Sequence, residues 1–249
     1  CYKRGESMKK HISELLEQMH SDMNPEKIAG SMRFFKTGKG EYGEGDVFWG
    51  LTVPRQQYYV KKYYKLLKLE DIRELIQHEV HEVRLTALMI LVTKYKHAES
   101  KLEKEAIVKL YSSLFIHINN WDLVDCSAHH ILGDWYLDSD KKPLLKMAQS
   151  SHLWTVRIAV IATYAFIRKE NYLPTLQMAE MLLDHKHDLI HKAVGWMLRE
   201  IGNRDFQIEY NWLTLHYHKM PRTMLRYAIE KFDEQMRQDF LKGRISPQS

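Results

Sequence analysis

Cysteine is scarce: Cys1 and Cys126 are the only two in 249 residues. Two thiols cannot build a disulfide framework, so a reducing, intracellular home is the simpler reading and a cytoplasmic location is expected. With only 6 prolines and 11 glycines, a disordered chain or a turn-rich β protein is disfavoured. Long apolar runs are missing too. The run 158–167 is bounded by Arg157 and Arg168 and is too short to span a membrane, and the first ten residues lack the apolar core of a targeting signal. No membrane partner is expected. There is no Gly-x-Ser-x-Gly element and no activating motif around Cys126. The histidine pairs His187/His191, His216/His218 and His129/His130 lack the Cys partners or flanking carboxylates of a zinc pattern, so neither metal nor cofactor is expected.

What remains is a mildly basic chain, with 37 Lys and Arg against 32 Asp and Glu, which permits a polyanionic partner. Helical periodicity dominates. Helices are expected at 8–20 and 24–35. From Pro54 onward they follow near 54–66, 69–78, 80–96, 100–117, 120–133, 141–149, 152–168, 171–183, 187–201, 204–218, 221–231 and 233–242. No strand alternation appears, so the class is all-α. The glycine-rich stretch 37–46 lacks the preceding strand and the Gly-Lys-Ser/Thr ending of a phosphate loop, and reads as a long surface loop. A short extended piece is expected at 47–53. Residues 8–245 read as a single domain, with 1–7 as an extension or disordered start and 246–249 as a tail.

Five short pieces align without gaps: Val83-Arg84-Leu85-Thr86-Ala87, Val124-Asp125-Cys126-Ser127-Ala128, Val156-Arg157-Ile158-Ala159-Val160, Ile190-His191-Lys192-Ala193-Val194 and Leu225-Arg226-Tyr227-Ala228-Ile229. The first column is aliphatic, the fourth small and the fifth apolar. Second-column residues are separated by 41, 32, 34 and 35 positions. A helix pair per such repeat marks an α-solenoid of HEAT or armadillo kind, a curved superhelix whose equivalent positions line up. The second column reads Arg84, Asp125, Arg157, His191, Arg226, which predicts a basic concave face suited to a nucleic-acid backbone.

Asp125 is the lone acid in that column. It lies in Asn119-Asn120-Trp121-Asp122-Leu123-Val124-Asp125, where asparagine looks like a helix cap and Trp121 stands four residues, one turn, before Asp125. Two readings stand side by side. Asp125 either pairs with Arg84 or Arg157 to hold repeats together, or it acts on a ligand. Trp154 and Trp196 lie near the same column, and each tryptophan also has an ordinary packing reading.

These residues resemble the AlkD family of bacterial DNA alkylation-repair glycosylases, which are HEAT-like repeat proteins. The resemblance runs from about Met8 to Ile245. It is carried by the asparagine-rich motif just quoted, by Leu153-Trp154-Thr155-Val156-Arg157, by Lys192-Ala193-Val194-Gly195-Trp196-Met197-Leu198-Arg199-Glu200 and by Met220-Pro221-Arg222-Thr223-Met224-Leu225-Arg226-Tyr227-Ala228. It implies that Asp125 is the catalytic carboxylate, that Trp121 and Trp196 line the lesion site, and that Arg157 holds DNA beside it. Arg84, His191, Arg199, Arg226 and Phe34 are the further DNA contacts expected. There are departures. Val156-Arg157 replaces the Arg-Arg that often follows the second motif's tryptophan, and Phe34 stands where some members have tyrosine. The 37–46 segment is longer than in the shortest members.

The implied chemistry suits the residues. An N3- or N7-alkylated purine is already cationic, so its glycosidic bond breaks without a strong acid, and an anion beside the oxocarbenium-like sugar is what helps. The expectation is a monomeric DNA glycosylase acting on cationic alkylpurines in double-stranded DNA. The alternative, from another class, is a non-catalytic HEAT-repeat module that binds DNA or protein.

Overall fold

The computed structural model describes residues 2–246, with side chains from Lys10 onward. Cys1 and residues 247–249, most of the expected tail, lie outside it. The helices fall into two compact units, the first running through Ile131 and the second beginning at Leu132.

The first unit holds α1 (Tyr2–Ser21), α2 (Pro25–Phe34), α3 (Val53–Tyr63), α4 (Leu69–Ile76), α5 (His81–Lys96), α6 (Lys101–Ser112) and α7 (Trp121–Asp125). The second holds α8 (Lys142–Ala148), α9 (Leu153–Ala162), α10 (Tyr164–Ile167), α11 (Leu173–Met181), α12 (Asp188–Gly202), α13 (Phe206–His216), α14 (Arg222–Ala228) and α15 (Glu234–Leu241). Among the described residues, extended pairing is limited to an isolated parallel bridge between Val47 and Val80. The class is all-α.

Local chemistry sets the ends. Asn24 Oδ1 accepts the Glu26 N–H, and Pro25 follows at the first helical position, so α2 starts there. Asp205 and Asp233 cap α13 and α15 in the same way. Two expected helices are broken. The one at 152–168 parts at Thr163, whose hydroxyl donates to Val160 O at 2.7 Å. The one at 120–133 ends at Asp125, because the Ser127 hydroxyl donates to Leu123 O at 2.6 Å and Cys126 Sγ to the same carbonyl at 3.4 Å. Hydroxyls that bond back to carbonyls compete with the helical ladder. A single π turn, His129–Gly133, follows. The helix expected at 100–117 stops at Ser112, with a separate 3-10 turn at Phe115–His117.

Packing supports the five-row alignment. The first, fourth and fifth positions are buried in every row, including Val83, Val124, Val156, Ile190 and Leu225 in the first column. α5 is buried on nearly all sides from His81 to Leu88, which places it at the centre of the first unit. In the second unit, a Cβ on Gly195 would lie 2.4 Å from Met224 O and 2.6 Å from Tyr227 Cβ. Only glycine lets α12 and α14 approach this closely.

Candidate functional site

α7 is five residues long, and isolated helices so short are unstable in water. Its sequence supplies the anchors. Asn120, fully buried, accepts the Trp121 N–H on Oδ1 at 2.9 Å. Asn119 is not a cap: its Nδ2 donates to Asp46 Oδ1 at 3.1 Å, and its Oδ1 accepts from Arg84 Nη2 at 3.1 Å. Asp122 Oδ2 meets His81 Nε2 at 2.8 Å. Leu123 and Val124 are buried, while Trp121, Asp122 and Asp125 are half-buried on the remaining side of the helix.

Aromatic rings gather at the start of α7. Phe35 stacks on Trp121 at 5.5 Å between centroids. Phe34, 62% exposed, meets the same indole edge-on at 5.5 Å. Phe35 continues the stack to Phe48 at 5.3 Å and to His81 at 4.7 Å. Trp121 thus rests on a prearranged aromatic column, with Phe34 projecting beside it.

The glycine-rich segment is exposed over most of its length, as a surface loop would be, but Gly43 and Asp46 are buried. Gly43 passes so near Asn120 that a Cβ there would lie 3.3 Å from Nδ2. Asp46 is 7% exposed. Its Oδ2 meets His81 Nδ1 at 3.1 Å, and its Oδ1 takes Arg84 Nη2 at 2.7 Å. Further on, the buried Glu82 carboxylate accepts the backbone N–H groups of Trp49, Gly50 and Leu51. The extended piece expected at 47–53 is reduced to the Val47 bridge and this carboxylate clasp.

Charges follow the geometry. Burial opposes charging His81, yet its hydrogen bonds to Asp122 and Asp46 outweigh it and push the imidazole up to about 9. Burial likewise opposes ionising Asp46, but the His81 hydrogen bond, the Arg84 charge and Asn119 hold it below the usual carboxylate range.

The expectation that Arg84 faces DNA is corrected. It is 5% exposed, and its guanidinium is spent on Asp46, Asn119 and the carbonyls of His78 and Glu79, each about 3 Å away. Arg157 is equally buried and donates from Nη1 to Leu189 O at 2.7 Å. Both arginines turn inward to backbone carbonyls near the starts of α5 and α12, so the second column is not a uniformly exposed basic stripe.

In the second unit, α12 carries three expected residues. His191, half-buried, bonds to His185 O. Trp196 is half-buried, lies 6.2 Å from the Tyr164 ring and donates its indole N–H to Glu200 Oε1 at 3.2 Å. Arg199 pairs with Glu230. Arg226 on α14 is exposed. Trp154 is 5% exposed, as a packing residue would be. Reading by motif missed Asp46, His81, Phe35 and Phe48. Their only sequence signal is a histidine and an acid placed far from the motif they support.

Among the described residues no trio of His, Cys, Asp or Glu is arranged to hold a metal ion, and no helix is long and apolar enough to cross a membrane. A cavity of about 570 Å³ opens elsewhere in the first unit, against Tyr64, Lys94, His97 and Ile107, and none of the expected residues lines it.

The fold and the site define an all-helical protein that offers a carboxylate and an aromatic face from one short, firmly anchored helix. The family model described as DNA alkylation repair enzyme matches residues 15–232, and the chain belongs to that family. Its place is therefore among the enzymes of DNA alkylation repair, with DNA as the partner. A solved structure described as a predicted DNA alkylation repair enzyme from Enterococcus faecalis shares the fold, with 18% identity and a TM-score of 0.67 over 85% of this chain and 97% of that one. No curated protein sequence matches.

Proposed function

We propose that the protein is a monomeric DNA glycosylase that hydrolyses the N-glycosidic bond of cationic N3- and N7-alkylated purines in duplex DNA. The observation that carries this reading is α7, where Asp125 is held half-buried one turn from Trp121, whose ring is flanked by exposed Phe34. Family membership supplies the setting.

The alkylated base leaves with the bonding electron pair, which neutralises its own charge. The sugar is left cationic at C1′. Asp125 stabilises that cation and orients the water whose oxygen bonds to C1′ as its proton passes to the surrounding solvent. At about 4 Å and an effective dielectric near 20, such a charge pair is worth on the order of 4 kcal/mol. Trp121 and Phe34 offer ring faces to the cationic nucleotide, each worth about 0.5–2 kcal/mol. Trp196 takes the matching role in the second unit, its indole oriented by Glu200. Arg226, His191 and Arg199 contact the DNA backbone. Arg157 and Arg84 serve inside the fold instead, Arg157 by its hold on Leu189 O and Arg84 through Asp46 and Asn119.

The test is base release with enzyme in excess. DNA carrying 7-methylguanine or 3-methyladenine should lose the base, while hypoxanthine and uracil, which need proton donation or tight hydrogen bonding in a pocket to leave, should stay. Efficient release of a neutral base that is lost in His191→Ala would replace this mechanism with acid catalysis.

A further inference from the structure

The loop 35–48, α5 and α7 converge on one imidazole. His81 has a side chain 1% exposed and is stacked on Phe48 at 4.8 Å, with Phe35 tilted against it at 4.7 Å. Its two ring nitrogens meet two different carboxylates, Asp46 at 3.1 Å and Asp122 at 2.8 Å. Carboxylates only accept, so both nitrogens carry protons and donate. Asp46 is itself fixed from the other side by Arg84 and Asn119. Asp122 therefore has a rigid partner, although it sits on a helix too short to hold its own orientation.

Asp122 is three residues before Asp125 and directly follows Trp121. The cap at Asn120 fixes where α7 begins. The cap and the buried Leu123 and Val124 limit the rotation of the helix about its axis, and the His81 bond to Asp122 adds a further fixed point. That rotation sets where Asp125 and Trp121 point.

We propose that His81 is a positioning residue: by donating to Asp46 and Asp122 at once, it locks the rotation of α7 and so aims Asp125 and Trp121 at the nucleotide. This rests on the glycosylase reading above. It also gives the glycine-rich segment a task, since glycines allow the loop to pass Asn120 and deliver Asp46 to the interior. The charged groups facing His81 are Asp46 from the loop, Arg84 from its own helix and Asp122 from α7. Asp122 is the gentler place to cut the connection, because its side chain is 14% exposed and it lies at the edge of the network.

Asp122→Ala is expected to lower the single-turnover excision rate on the order of 100-fold, the loss typical of a small misplacement of reacting groups, with DNA affinity changed less than about threefold. Asp122→Asn retains an oxygen for the His81 N–H and should recover most of that loss. In proton NMR of the wild type, His81 should show two slowly exchanging ring N–H signals. The Trp121 near-UV circular-dichroism band, isolated by difference from Trp121→Phe, should change in Asp122→Ala. A folded Asp122→Ala that excises at the wild-type rate overturns the proposal, as does one that no longer folds, which would make the connection purely structural. If wild type and Asp125→Asn release bases equally, the glycosylase reading fails on its own. The Trp121 band then decides the orientation claim, and an unchanged band rejects it.

Discussion

Burying an arginine, a histidine and two acids together is costly unless each is paired, and in Arg84, His81, Asp46 and Asp122 the pairings are complementary. Removing one partner leaves a buried charge behind. Arg84→Ala should therefore destabilise the protein by about 3–5 kcal/mol, measured by denaturant unfolding. It should leave the salt dependence of DNA binding unchanged in the folded fraction. Arg226→Ala, at an exposed position, should do the opposite, with little loss of stability and a salt slope lower by about one unit. His81 adds a pH dependence. Its folded-state value lies above the ordinary 6.5, near 9, so its contribution is complete below pH 6.5 and is lost as pH rises toward 9. Glu209 behaves similarly, because burial pushes its carboxyl up to about 9 against the opposing pull of Arg199. Its stabilising effect is fully present below about 4.5 and lost on the way to 9. Stability measured from pH 6 to 9 should fall in the wild type, and should fall less steeply in Glu209→Gln.

Elements were easier to read in the sequence than their interruptions. Apolar periodicity located α3 and α12, because each buries a stripe that must repeat with the helical turn, while α5 and α9 are buried on nearly all sides and stood out as apolar runs. The breaks after Asp125 and at Thr163 were not legible, since Ser127 and Thr163 act by turning a hydroxyl toward a carbonyl, and the same residues sit harmlessly in many helices. Trp121 and Asp125 were legible because motif and spacing lie on one turn. Asp46 and His81 were not, because their meeting depends on how a loop folds back over 35 residues. The inward turn of Arg84 and Arg157 was hidden for the same reason, as a sequence column does not say which carbonyls lie within reach. Glycine gives an element-level test. Gly195→Ala would force α12 and α14 apart and should cost roughly 1–3 kcal/mol. Gly30→Ala, on α2 with open space around it, should stabilise by about 0.5–1 kcal/mol. Thermal melts of the two variants should move in opposite directions.

At the scale of the whole molecule, membership of the DNA alkylation repair enzyme family and the chemistry of α7 point the same way. A basic chain that must approach phosphates keeps an acid on a short helix and devotes a buried network to holding that helix. Under the proposed function, a carboxylate so placed weakens DNA binding and acts on charge that develops during reaction. The most direct measurement is single-turnover release of 7-methylguanine from methylated duplex DNA by wild-type protein and Asp125→Asn, beside a DNA-binding titration of both. Release by the wild type is expected, with a rate lower by about 10²-fold or more in Asp125→Asn and nearly equal affinities. Equal rates in the two proteins, or no release by the wild type, would contradict the proposed function.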